Sequence, residues 1–93
     1  MIRNLAVNVT TTPVALTIGD VDINDGMTVW IHNHDHGTGH SLYIGDETVS
    51  ASTGYHLPST SSVGPIGLAK GEVVYAVSDQ AGGVPLRVFA TRT

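Results

Sequence analysis

Apolar and polar residues alternate along most of this chain, which is the signature of half-buried β-strands. The clearest run covers residues 27–33, where Met27, Val29 and Ile31 point one way and Thr28, Trp30 and His32 the other. Residues 41–44 repeat it, with Leu42 and Ile44 against Ser41 and Tyr43. Between them lies HDHGTGH, polar and glycine-bearing, which predicts a hairpin loop joining the two strands. If the strands pair around that loop, Trp30 and Tyr43 become cross-strand neighbours on the face away from the core.

The rest of the chain has the same grain. Residues 4–10 set Leu5, Val7 and Val9 against Ala6, Asn8 and Thr10. Residues 14–18 carry Val14, Leu16 and Ile18 on one face, after a break at Pro13. Short extended pieces are expected at residues 48–50 and 55–57, and a longer one at 63–68, whose Gly64, Pro65 and Gly67 point to an edge or a bulge. Residues 73–77 read as a buried strand with Tyr75 in the core beside Val73 and Val77. Residues 79–83 read as a hairpin turn, and residues 84–91 as a closing strand with Leu86, Val88 and Ala90 opposite Arg87 and Phe89. Turn chemistry also fills residues 19–26 (GDVDINDG), 45–47, 52–54 and 69–72. No window fits the helical i, i+3, i+4 template. The expectation is an all-β chain, a single small β-sandwich (jelly-roll or immunoglobulin-like) or small barrel of about seven to nine short antiparallel strands.

At 93 residues the chain predicts one domain, residues 1–93. Residues 1–10 are expected as an edge strand or as an N-terminal arm that adds to a neighbour's sheet. A chain this short buries only roughly 60–65% of the surface its unfolded form exposes, so oligomerisation is expected. There is no Cys, which removes disulfides, thiol chemistry and zinc-finger spacing. The net charge is −4, and the four basic residues (Arg3, Lys70, Arg87, Arg92) are scattered, so no nucleic-acid partner is expected. No apolar run approaches the ~20 residues of a membrane span. The opening stretch alternates and lacks an apolar block, so no leader is expected.

Candidate chemistry centres on histidine. His32, His34 and His36 stand at i, i+2, i+4 and would share one face of a strand, with His40 across the loop. Gly26, His32 and His34 also have the spacing that opens the first cupin motif, in which an HxH pair binds a metal inside a small barrel. Thr38 and Gly39 occupy the positions of the cupin glutamate, and no later histidine follows His56. A metal staple on an oligomer axis is a third reading, and a plain polar loop is the favoured one. The acidic run DVDIND lacks the internal glycine and closing Glu of a calcium loop and reads as a solvated turn. No serine sits in a nucleophile elbow, no glycine-rich phosphate loop opens a helix, and the carboxylates lie in turns. Trp30 and Tyr43 read as a second layer of core or as interface anchors.

The run from residue 29 to residue 91 resembles small all-β structural proteins encoded in the head modules of tailed bacteriophages. The matching features are Val29, Ile31 and Asn33; Tyr43-Ile44-Gly45; Thr48-Val49; Gly54; Leu57-Pro58; Gly71-Glu72; Tyr75-Ala76-Val77; and Arg87-Val88. The loop HNHDHGTGH departs from the pattern, being longer and richer in His. The resemblance implies a non-enzymatic virion structural protein without a cofactor, a capsid decoration protein made in the host cytoplasm and seated on the capsid surface. Its expected partners are the major capsid protein and itself, as a homotrimer, with Trp30 and Tyr43 as the expected contact residues. A tail-fibre or spike β-module, a cupin-like metal protein using His32 and His34, and a sugar-binding sandwich stacking glycans on Trp30 and Tyr43 are the alternatives.

Overall fold

A computed structural model describes residues 2–17, 26–69 and 72–92. The expected turn and the acidic run at residues 19–25 lie outside them, apart from Gly26. Among the described residues the strands are β1 (Ile2–Val9), β2 (Val14–Ala15), β3 (Met27–Asn33), β4 (Leu42–Gly45), β5 (Tyr55–Leu57), β6 (Ser62–Leu68), β7 (Tyr75–Ser78) and β8 (Val84–Arg92), and no helix occurs. They form two antiparallel four-stranded sheets, sheet A in the order β1-β8-β3-β6 and sheet B in the order β2-β7-β4-β5. Only β4 and β5 are consecutive strands paired as a hairpin; every other connection crosses between the sheets. This order is that of a jelly roll, which decides between the two sandwich types the alternation allowed.

The alternation in the sequence becomes burial. β3 reads buried, half-buried in strict turn along all seven residues. Val9, Leu16, Met27, Val29, Ile31, Leu42, Ile44, Leu57, Leu86, Val88 and Ala90 meet between the sheets, none more than 8% exposed. Burying each Leu, Ile or Val side chain in this way contributes about 1.5–3 kcal/mol. Along β1 only Val9 is fully buried, although all eight of its residues pair with β8, from Ile2 opposite Thr91 to Val9 opposite Val84.

The structure corrects several expectations. Residues 34–41 are not a hairpin loop: they carry the chain from sheet A to sheet B. Alternation says which side of a strand meets the core, but a hairpin and a sheet-to-sheet crossing both satisfy it. Trp30 and Tyr43 therefore lie on opposite outer faces. Residues 79–83 are likewise a crossing rather than a hairpin turn, closed by the Gly83 N–H donating to the Gln80 carbonyl at 3.0 Å. Tyr75 faces outward, whereas Val74 and Ala76 join the core. The run VVYAV is apolar on both faces, so its phase was ambiguous. Residues 48–50 form no strand; they begin at the end of a turn closed by the N–H of the buried Val49 donating to the Asp46 carbonyl.

The four sheet edges differ. In sheet B the edge strands have only two and three residues. In sheet A, β6 slips register against β3 between Val29 and Ile31, at a cis Gly64–Pro65 step. Short strands, bulges and proline all blunt an edge against further pairing. β1 has none of these devices, and no strand lies beyond it among the described residues.

Candidate functional site

The outer face of sheet A gathers most of the unusual surface chemistry. Trp30 on β3 sits directly opposite Phe89 on β8, with ring centroids 5.6 Å apart and planes tilted by 52°. Trp30 is half-buried and Phe89 is 46% exposed. Next along the same pair, His32 faces Arg87, and on the other side of β8 the partners are Asn4 and Ala6 of β1. Asn4, Ala6, Trp30, His32, Arg87 and Phe89 line an open depression of about 280 Å³. Gly64 holds the edge strand close to this surface: at φ 141°, a Cβ there would stand 2.8 Å from Trp30 Cδ1.

At one end of this face β3 runs out at Asn33, but its in-and-out alternation continues. His32, His34 and His36 turn outward, while Asn33 and Asp35 turn inward and are buried. Buried polar groups need partners, and these two have them. The Asn33 amide donates to the carbonyls of His40 at 3.1 Å and Leu57 at 2.9 Å, and its oxygen accepts from the Asp35 N–H at 3.0 Å. The Asp35 carboxylate accepts from the Thr38 hydroxyl, from the His40 N–H at 3.0 Å and from the Ser59 hydroxyl at 3.0 Å. Thr38's hydroxyl, with the His40 and Ser59 bonds behind it, holds the Asp35 carboxyl below its ordinary range against the opposing effect of burial. The backbone of this turn is also pinned, His34 N–H to the Pro85 carbonyl at 3.0 Å and Asn33 N–H to the Ser61 carbonyl at 2.9 Å.

The outward trio converges. Ring centroids are 5.6 Å apart for His32 and His34, 6.0 Å for His32 and His36, and 4.7 Å for His34 and His36. One nitrogen from each ring lies within 4.8 Å of the others. His32 Nδ1 is engaged by the Ser62 hydroxyl at 2.8 Å, and His36 Nε2 meets His34 Nδ1 at 3.4 Å. Lost hydration, then the charges of Arg87, His36 and His32, lower the pKa of His34. His40 is not in the cluster; its backbone serves the Asn33 and Asp35 network. The trio lies on the outer surface of the sandwich rather than in its interior, where the cupin motif places its metal.

Tyr43 belongs to the outer face of sheet B. It stacks on His56, its partner across the β4–β5 hairpin, with centroids 5.2 Å apart and planes 18° from parallel. His56 Nε2 lies 2.9 Å from the Ser41 hydroxyl. Reading the sequence singled out Trp30, Tyr43 and the three histidines, and missed Phe89, Arg87, Asn33 and Asp35 as parts of a site. The signal for the last two was present in HNHDH, since residues between outward histidines on an extended chain must face inward.

Comparison with known proteins returns no matching family model, no similar curated protein and no similar solved structure.

Proposed function

We propose that this chain is a non-enzymatic structural protein of a tailed-phage virion, a capsid decoration protein that binds and stabilises the mature head. The observation that carries this reading is the outer face of sheet A. It leaves the Trp30–Phe89 pair open to solvent, beside Arg87 and next to the unblunted edge of β1. Trp and Arg are the side chains that most often anchor protein interfaces, and an aromatic pair around a shallow depression suits a protein partner.

Jelly rolls occur in viral capsid domains, lectins and cupins, so the fold does not choose among these roles. The site favours the first. Among the described residues the space between the sheets is occupied by packed, mostly aliphatic side chains, and the histidine cluster of the cupin-like alternative lies on the outer surface. Decoration of a shell needs no chemistry. It needs a rigid body, a docking face and contacts offered only by the mature lattice; binding that state alone stabilises it by mass action. Self-association, as a homotrimer, lets weak individual contacts hold by avidity. β1 is built into its own sheet, so its part in assembly is to offer its outer edge, beyond which no strand lies among the described residues. The partner is the major capsid protein, and the place of action is the capsid surface.

The test is co-sedimentation of the purified chain with mature heads and with unexpanded proheads of the encoding phage. The chain should pellet with mature heads at a saturable ratio and stay in the supernatant with proheads. Failure to pellet with either would reject the reading.

A further inference from the structure

We infer that His32, His34 and His36 form a tridentate site for a borderline divalent transition metal, Zn²⁺ foremost. Three histidines at alternate positions do not by themselves make one. On a straight strand the first and third would stand about 13 Å apart, beyond the reach of a single ion. Here the three rings converge, and the stretch that carries them is anchored. Asn33 and Asp35 are anchored inward through His40, Leu57, Thr38 and Ser59, which draws His36 back to within 6.0 Å of His32.

The resulting spacings approach those of a metal centre. Three imidazoles on a tetrahedral ion with Zn–N bonds of about 2.0–2.1 Å have ring centres about 5 Å apart and ligand nitrogens about 3.4 Å apart. The observed centroid separations of 4.7, 5.6 and 6.0 Å bracket the first figure; the His34–His36 nitrogen separation of 3.4 Å matches the second, and with all three candidate nitrogens within 4.8 Å of one another a small ring movement closes the set on an ion. Ser62 occupies Nδ1 of His32, which orients that ring and leaves Nε2 as its ligating atom, as a hydrogen-bonded neighbour commonly does for metal-bound histidine.

The donor set selects the metal. Calcium and magnesium require oxygen ligands, and the nearby Asp35 carboxylate is turned inward with both oxygens engaged. Three neutral imidazoles suit Zn²⁺, Cu²⁺, Ni²⁺ or Co²⁺ and leave an exchangeable position for water or a group from a partner. Arg87, opposite His32, opposes the bound charge. The site is independent of the head-binding role and stands if that role fails.

The experiment is calorimetric titration of the untagged full chain with ZnCl₂, with native mass spectrometry for stoichiometry. The wild type should take up one ion per chain. His36→Ala, at an exposed position that the fold tolerates, should lose affinity at least 100-fold. Asp35→Ala, which removes no ligand but releases the anchored stretch between His34 and His36, should lose affinity by a smaller factor. The circular dichroism spectrum of His36→Ala should match the wild type. No saturable one-to-one uptake, or unchanged affinity in both His34→Ala and His36→Ala, would overturn the site and leave the 3.4 Å contact as an imidazole–imidazole hydrogen bond.

Discussion

The two outer faces of the sandwich each carry an aromatic residue at the centre of a strand, and the chain treats them differently. On sheet B, Tyr43 is covered by its own chain: His56 stacks on it, Ser41 holds His56, and Gly54 of the β4–β5 loop comes so close that a Cβ would stand 2.6 Å from Tyr43 Cβ. On sheet A, Trp30 is half-buried with Phe89 on one side and the Gly64 backbone of the edge strand on the other, and Phe89 remains 46% exposed. Two aromatics that look alike in the sequence thus divide into one stacked on a histidine of its own hairpin and one whose aromatic neighbour stays exposed, the surface proposed above for docking. An exposed aromatic cluster that costs solubility and adds little to the core is the kind of surface that binding maintains.

The largest break in this comparison should come from Trp30→Ala combined with Phe89→Ala. Loss of interface anchors typically costs 2 kcal/mol or more each, so affinity for mature heads should fall by roughly 1,000-fold. If sheet A is the docking face, as proposed, Tyr43→Ala should leave head affinity within about threefold. Equal losses in both variants, read by titration onto heads, would erase the distinction. A smaller effect is expected at the hinge between the faces. Asn33→Ala strips a buried amide from three hydrogen bonds and should destabilise the chain by about 2–4 kcal/mol in urea denaturation.

On sheet B, Gly54→Ala forces the loop away from Tyr43 and should cost about 1–3 kcal/mol. Head affinity should not change, and a wild-type melting curve would mean that the loop does not cover Tyr43 tightly. The smallest effect concerns pH. The Thr48 side-chain and backbone bonds hold the Asp46 carboxyl below its ordinary value in the folded chain. A depressed folded pKa gives stability that is present above the unfolded pKa and is lost as pH falls through the folded one. Asp46→Asn should therefore flatten the acid end of the stability profile and leave the difference between neutral and alkaline pH unchanged. An unaltered acid limb would show that the Asp46 bonds contribute nothing.

Much of the fold was legible because alternation reports burial directly. β3 and β5 appear with the expected bounds, and Val29, Ile31, Leu42, Leu86, Val88 and Ala90 all reach the core as their phase required. The sheet assignment was not legible. HDHGTGH is long enough to turn back within one sheet or to cross to the other, and both outcomes bury the same side chains. Tyr75 was misplaced for a related reason: with apolar residues on both faces of its strand, no polar residue marks the outer one. The histidine cluster was half legible. Its members could be named from their spacing, but their convergence depends on the inward anchoring of Asn33 and Asp35 by Thr38, Leu57 and Ser59, contacts made after the chain has folded.

The most direct measurement of the docking face is hydroxyl-radical footprinting of the chain, free and bound to mature heads. Trp30 and Phe89 should lose reactivity on binding, while Tyr43 and Tyr55 keep theirs. Protection of Tyr43 and Tyr55 with Trp30 and Phe89 still reactive would contradict the account and assign the docking role to sheet B.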